Sequence, residues 1–278
     1  MTPALPTIAA SLAAAQATIG RLEARVLLRE VLRRDDAWLI AHGDDALTVA
    51  QSQQYAALVA RRAAGEPIAY LTGTREFYGR SFAVTPAVLI PRPETELLVE
   101  LALQRLPAGA ARCVADLGAG SGCIGITLAA ERPQAQVTLV EASGPALEIA
   151  RANAAQWAPA NTTVLHSNWF TAITTEQYDL IVANPPYVAE GDAHLRQGDL
   201  RFEPRTALAA GADGLRDLRH IITHAPRHLR ADGWLLLEHG FDQAAACAHL
   251  LAAAGLREIF SAPDLAGMPR VSGGRCAA

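Results

Sequence analysis

A chain of 278 residues, 51% of them hydrophobic, can bury one large core or a medium core beside a small one. Its formal net charge of −4, without a long basic run, argues against a broad nucleic-acid footprint, although a small basic groove stays open. No apolar stretch is long enough to span a bilayer, and the scattered Cys113, Cys123, Cys247 and Cys276 fit a reduced, cytoplasmic protein better than a disulfide framework or zinc site. The Ala-rich start lacks a basic leader, so no signal peptide is expected.

Up to about Gly65 the pattern is helical. Leu22, Val26, Leu27 and Val31 recur at helical spacing, and Thr48 is placed to cap a helix carrying Tyr55, Leu58 and Val59. From Pro67 to about Val88, glycines alternate with Tyr70, Phe77, Tyr78, Phe82 and Val84, which predicts a β-hairpin. Pro86, Pro91 and Pro93 punctuate a connector, and a helix with Leu97, Leu98, Leu101 and Leu103 follows. Strands are predicted at Cys113–Leu117, Val137–Glu141, Thr163–His166, Leu180–Ala183 and Trp234–Glu238, and helices at Pro145–Gln156 and Asp242–Ala254. This rhythm implies an α/β fold with a doubly wound, mainly parallel sheet and ligands at the carboxyl ends of its strands. The Gly-rich stretch from Arg257 to Arg275 has the makings of an antiparallel hairpin at the sheet edge. The expected organisation is an N-terminal helical domain over 1–66, a hairpin connector over 67–92 and the α/β domain over 93–278.

Two loops carry the chemistry. After the first strand of the α/β domain, Asp116-Leu117-Gly118-Ala119-Gly120-Ser121-Gly122 lets the backbone turn tightly, and a helix starting near Cys123 aims its N–H groups at a ligand. Gly120-x-Gly122-x-x-Gly125 also satisfies the dinucleotide fingerprint, and Glu141 at the end of the second strand can accept ribose hydroxyls in either setting. Asn168, Trp169 and Phe170 follow the third strand, where an aromatic ring could face a base. After the fourth predicted strand stands Asn184-Pro185-Pro186-Tyr187. Two prolines fix a stiff turn with free carbonyls beside one amide and one aromatic ring. Such a turn suits a planar N–H₂ group, whether of glutamine, adenine or guanine. His220, His224 and His228 recur every four residues, but Pro226 interrupts the helix and no HExxH is present, so no metal is expected.

Asp116–Gly122 together with Asn184–Tyr187 resembles the class I methyltransferases that modify planar nitrogens. The match extends to Pro67-x-x-Tyr70-x-x-Gly73, Glu76-Phe77-x-Gly79, Leu89-Ile90-Pro91-Arg92-Pro93-Glu94-Thr95-Glu96, Arg201-Phe202-Glu203-Pro204 and Leu237-Glu238-His239-Gly240. The whole set resembles the protein-(glutamine-N5) methyltransferases of peptide chain release factors, the HemK/PrmC family. That resemblance implies a class I methyltransferase-like fold with S-adenosyl-L-methionine as methyl donor and S-adenosyl-L-homocysteine as product. It implies a release factor as protein partner, the glutamine of its Gly-Gly-Gln loop as acceptor, a monomer, and no stable nucleic-acid or membrane binding. Cofactor contacts are expected from Asp116, Gly118, Ala119, Gly120, Ser121, Gly122, Glu141, Asn168, Trp169, Phe170 and Asn184. Asn184, Pro185 and Tyr187 are the expected catalytic residues, with Pro186, Arg92, Glu94 and Glu203 on the substrate side. Glu141 and Asn168 stand where the family usually has Asp, which implies a modest effect on cofactor affinity. An adenine-N6 or guanine-N2 methyltransferase is the alternative the tetrad alone leaves open.

Overall fold

The computed structural model describes residues 5–158 and 160–277, so the extreme ends of the expected first and last domains lie outside the described residues. The chain divides into two compact units, one up to Gly73 and one from Thr74 on.

The first unit contains α1 (Ile8–Ile19), α2 (Arg21–Leu32), α3 (Asp36–Ala41), α4 (Val49–Ala63) and the short α5 (Ile68–Thr72). Thr48 caps α4 as expected, in a reciprocal capping box with Gln51. The buried stripe of α2 differs from the predicted one: Ala24, Leu27 and Leu28 face the core, whereas Leu22 is 76% exposed. Ala24 is fully buried, and the Tyr55 hydroxyl donates to its carbonyl at 2.9 Å, tying α4 to α2. The hairpin is shorter than the sequence predicts. Residues 68–72 make a turn of helix between Pro67 and a left-handed Gly73, and the strands are β1 (Thr74–Phe77) and β2 (Arg80–Ala83).

The second unit continues with α6 (Glu96–Arg105), β3 (Cys113–Leu117), α7 (Cys123–Glu131), β4 (Gln136–Glu141), α8 (Gly144–Trp157), β5 (Thr162–His166) and β6 (Tyr178–Ala183). It ends with α9 (Arg216–His224), β7 (Leu229–Glu238), α10 (Ala244–Ala253), β8 (Arg257–Pro263) and β9 (Pro269–Arg275). Seven strands form one sheet in the order β5-β4-β3-β6-β7-β9-β8. The first five run parallel, and β9 pairs antiparallel with both β7 and β8. The Gly-rich C-terminal stretch is therefore regular strand. Its glycines mark close packing, since a Cβ on Gly273 would meet Leu236 Cδ2 at 2.5 Å and the Leu235 carbonyl at 2.7 Å. Strand β7 begins five residues before the predicted start. Exposed Arg230-Ala231-Asp232 and a register shift near Tyr178 hide the apolar pattern there.

Both sheet faces are buried. Val114, Leu180, Val182 and Leu236 pack with α6 and α7 on one side. Ala115, Leu117, Ile181, Leu235 and Leu237 pack with α9 and α10 on the other. Buried on two faces, the strands read as apolar runs rather than as alternating ones. From β3 the chain runs outward through β4 to β5 and then returns to β6 on the opposite side of β3. The order reverses there, so the carboxyl ends of β3, β4 and β6 frame a crevice.

Candidate active site

A cavity of about 650 Å³ occupies that crevice. Its floor is the loop after β3. Gly118, Gly120 and Gly122 have φ of 72°, 57° and 81°, and Gly122 caps α7 in the left-handed region, so side chains are disfavoured at all three. The loop is held from below. Val140 O accepts the N–H groups of Gly118 and Ala119, and the Glu141 carboxylate accepts from Gly120 at 2.8 Å with one oxygen and from Ser143 at 2.7 Å with the other. Each Glu141 oxygen has a further lone pair beyond these bonds, and two such oxygens are the acceptor set a pair of vicinal hydroxyls needs. A Cβ on Gly120 would meet nothing within 4 Å, so the loop leaves open space there.

Asp116 lies beneath this floor and does not line the cavity. It is fully buried and accepts from Gly125 N at 2.8 Å, and its other oxygen has no hydrogen-bond partner. Burial pushes its carboxyl up to about 7, against the pull of the Gly125 N–H, and the Glu141 charge adds to the rise. Its role is to clamp α7 to β3. A Cβ on Gly125 would meet Asp116 at 2.9 Å, so the helix can approach only as glycine.

On the β5 side, Ser167, Asn168 and Trp169 line the wall. Trp169 has φ 50°, and its turn is braced by Ser167, whose hydroxyl donates to the Trp169 carbonyl and accepts from Ala172 N. The indole covers Gly118 so closely that a Cβ there would stand 3.0 Å from the ring. Phe170 points the other way. It is 7% exposed and stacks on His228, with ring centroids 4.5 Å apart and planes 9° apart. The histidine stripe is thus partly aromatic packing, and His220 alone of the three reaches the cavity wall. Among the described residues no group of His, Cys, Asp and Glu could hold a metal.

The tetrad follows β6, which keeps Asn184 beside the glycine loop. Asn184 and Pro186 line the cavity; Pro185 and Tyr187 do not. Asn184 Nδ2 donates to Thr95 Oγ at 3.2 Å, which leaves Oδ1 as its acceptor face. Tyr187 turns its phenol inward to Glu238 Oε1 at 3.4 Å, and burial pushes its hydroxyl pKa well up. Its carbonyl accepts from Gln243 Nε2 at 3.0 Å. Arg92 also lines the cavity and pairs with Glu203, whose side chain is fully buried and accepts from Ile90 N. Glu203 therefore holds the Leu89–Arg92 segment rather than facing a ligand, and Glu94 is exposed outside the cavity. Sequence reasoning missed Thr95, Ser143 and Ser167. Ser143 carried a visible signal, since it caps α8 just ahead of Pro145.

The cavity fits a nucleoside: a half-buried indole for a base, a two-oxygen acceptor for ribose and an open glycine backbone between them. Residues 94–200 match the family model described as methyltransferase small domain, and residues 4–73 match the PrmC N-terminal domain. A 16S rRNA N2 methyltransferase of T. thermophilus, in complex with AdoMet and guanosine, shares the fold (TM-score 0.54, 24% identity, 73% of this chain and 49% of that one). Fold and family model thus define a methyltransferase.

The chain is 50% identical over 272 residues to the release factor glutamine methyltransferase of Xylella fastidiosa strain Temecula1, covering 98% of this chain and 99% of the relative. It is 52% identical over 255 residues to that of Bordetella pertussis, covering 91% and 94%. The chain belongs to the release factor glutamine methyltransferase family.

Proposed function

We propose that this protein methylates the side-chain amide nitrogen of a glutamine in a peptide chain release factor, the glutamine of its Gly-Gly-Gln loop. The observation that carries the reading is Asn184. Its nitrogen is committed to Thr95, so its oxygen is offered to the cavity, next to the glycine loop.

S-adenosylmethionine, when bound, supplies a methyl group on a sulfonium that leaves as a neutral thioether. Gly118, Gly120, Glu141 and Trp169 are the residues that would hold it. An amide nitrogen is a poor nucleophile because its lone pair is delocalised into the carbonyl. The chain's contribution is to fix that nitrogen. Asn184 Oδ1 and the Pro185 carbonyl accept its two hydrogens, which orients the lone pair and sets partial negative charge where positive charge develops. As the nitrogen–methyl bond forms and the methyl–sulfur bond breaks, the methylated amide becomes cationic and strongly acidic, and it releases one of its two protons to water, so no strong base beside it is required. Pro186 closes the wall. Tyr187, with its phenol turned to Glu238, supports the turn from behind. The residues up to Gly73 match the PrmC N-terminal domain and are proposed to hold the protein substrate.

The test is transfer of labelled methyl from S-adenosylmethionine to a purified release factor, with a Gln→Ala loop variant as control. Asn184→Ala is expected to abolish labelling while S-adenosylmethionine affinity stays within about threefold of wild type, since a side-chain acceptor to the substrate is lost and the glycine loop is untouched. Labelling of ribosomal RNA or DNA in place of the factor would overturn the reading.

A further inference from the structure

Gln243, just ahead of α10, is buried and has no part in the chemistry above. Its amide is fully used. Oε1 accepts from Gly240 N at 2.9 Å, and Nε2 donates to the Tyr187 carbonyl at 3.0 Å and to the Gly214 carbonyl at 3.3 Å. One end faces an N–H and the other faces two carbonyls, so a single orientation of the amide satisfies all three partners. The partners belong to three segments. Tyr187 ends the tetrad, Gly240 follows β7, and Gly214 precedes α9, whose Asp217 and His220 line the cavity. The joint is tight: a Cβ on Gly214, at φ 71°, would stand 2.3 Å from the Tyr187 oxygen and 2.8 Å from Gln243 Nε2.

Beyond Tyr187 the chain is stitched to the same assembly. Val188 N donates to the Leu208 carbonyl and the Val188 carbonyl accepts from Ala210 N, each at 2.9 Å, and Arg216 N donates to the Ala210 carbonyl at 3.3 Å. Gln243 fastens this assembly to the loop after β7. The fastening matters because Pro185 and Pro186 have no N–H with which to anchor the turn themselves. Strand β6 holds the turn at its start, and the Tyr187 carbonyl holds it at its end. The Pro185 carbonyl lies between these two supports. We infer that Gln243 is a positioning residue, which fixes the far end of the Asn184–Tyr187 turn through the Tyr187 carbonyl and so sets the aim of the Pro185 carbonyl. This inference rests on the proposed reaction, in which Asn184 and Pro185 accept the hydrogens of the substrate amide.

The variants are Gln243→Met, similar in length and without an N–H donor, Gln243→Glu and Asn184→Ala, all assayed as full-length enzyme with release factor, well below their unfolding temperatures. A misplacement of about 1 Å costs up to about a hundredfold. Gln243→Met is therefore expected to lower kcat by about ten- to a hundredfold. Kd for S-adenosylmethionine and KM for the release factor should stay within about threefold, since the glycine loop and Glu141 are untouched. A side chain that served stability alone would leave the kcat of the folded variant unchanged. Gln243→Glu adds a pH readout. Protonated, its carboxyl can accept from Gly240 N and still donate one hydrogen to the Tyr187 carbonyl; ionised, it sets a carboxylate against two carbonyl oxygens. The titratable groups on the joined segments, Tyr187, Asp213, Glu238, His239 and Asp242, are common to both proteins, so the ratio of variant to wild-type kcat isolates position 243. That ratio should be within a few fold of one at about pH 5 and fall about tenfold or more by about pH 9. A wild-type kcat for folded Gln243→Met, or a ratio for Gln243→Glu that does not change with pH, would overturn the role of Gln243, while a dead Asn184→Ala leaves the proposed reaction standing. If Gln243→Met does not fold, the pH profile of Gln243→Glu decides. An active Asn184→Ala would overturn both.

Discussion

Gly120 and Gly122, two positions apart in one loop, make the sharpest test of how the floor of the site works. Gly120→Ala and Gly122→Ala are the same chemical change at φ 57° and 81°. Each forces an L side chain into the left-handed region, at about 1–2 kcal/mol. Their surroundings differ. The methyl at 122 would stand 2.5 Å from Ile126 Cδ1 and 2.9 Å from Leu139 Cδ2, and both side chains are fully buried, so neither can swing aside. Overpacking of this kind adds about 1–3 kcal/mol, for a total of about 2–5 kcal/mol. The methyl at 120 would meet nothing within 4 Å, so strain is its whole cost to folding. At about 2–4 °C per kcal/mol for a unit of this size, Gly122→Ala is expected to lower Tm by about 4–20 °C and Gly120→Ala by about 2–8 °C. Binding should rank the other way, because the methyl at 120 stands where the donor is proposed to lie. Calorimetric titration with S-adenosylmethionine should show at least about a tenfold loss for Gly120→Ala. Calorimetric scans and titrations on both variants decide the matter. Equal Tm losses, or wild-type affinity in Gly120→Ala, would refute the division between a packed end and an open middle of this loop.

Stability should also respond to pH in an unusual direction. Burial raises the carboxyls of Asp116 and Glu238 to about 7, so between about pH 4 and about pH 7 the folded state keeps protons that the unfolded state has released. Their contribution is fully present at the acid end and is lost as pH rises through about 7, at up to about 1.4 kcal/mol per pH unit for each proton. Asp116→Asn should flatten that slope in urea titrations at a series of pH values; an unchanged slope would show that Asp116 does not titrate there. Arg92→Ala strands the buried Glu203 carboxylate and should cost about 3 kcal/mol or more in urea unfolding, with Glu203→Gln in the same background recovering part of it. Glu141→Ala removes the acceptor of the Gly120 and Ser143 N–H groups and should weaken S-adenosylmethionine binding by at least about tenfold in calorimetric titration, whereas Glu141→Asp should bind within a few fold of wild type.

What the sequence showed follows from what each signal depends on. The strands leading to the site were legible because they are buried on both faces and read as unbroken apolar runs, and the glycine loop was legible because left-handed backbone leaves a residue type behind. The C-terminal strands were half hidden by the same residue type used differently: Gly273 in β9 marks a sheet packed too closely for a Cβ, and in sequence this looks like irregular loop. Direction was the poorest signal of all. Asp116, Phe170, Tyr187 and Glu203 stand in the motifs that build the site, yet each turns its side chain away from the cavity, into the core or onto a neighbouring segment. A motif records that residues are needed near one another, not which of them faces the ligand.

That distinction matters most at Glu238. The stretch Leu237-Glu238-His239-Gly240 stood out in the sequence, but its task could not be read from spacing, since Glu238 lies 54 positions from Asn184 and 143 from Thr95. The sheet brings them together: β6 and β7 are neighbours in parallel register, with Ala183 opposite Leu237, so the residues that follow, Asn184 and Glu238, leave the sheet side by side. Parallel pairing thereby sets a buried carboxyl beside the tetrad, where it meets the Tyr187 hydroxyl at 3.4 Å. Its Oε2 is buried without a hydrogen-bond partner among the described residues, a cost to stability that a well-packed aliphatic side chain at position 238 would avoid.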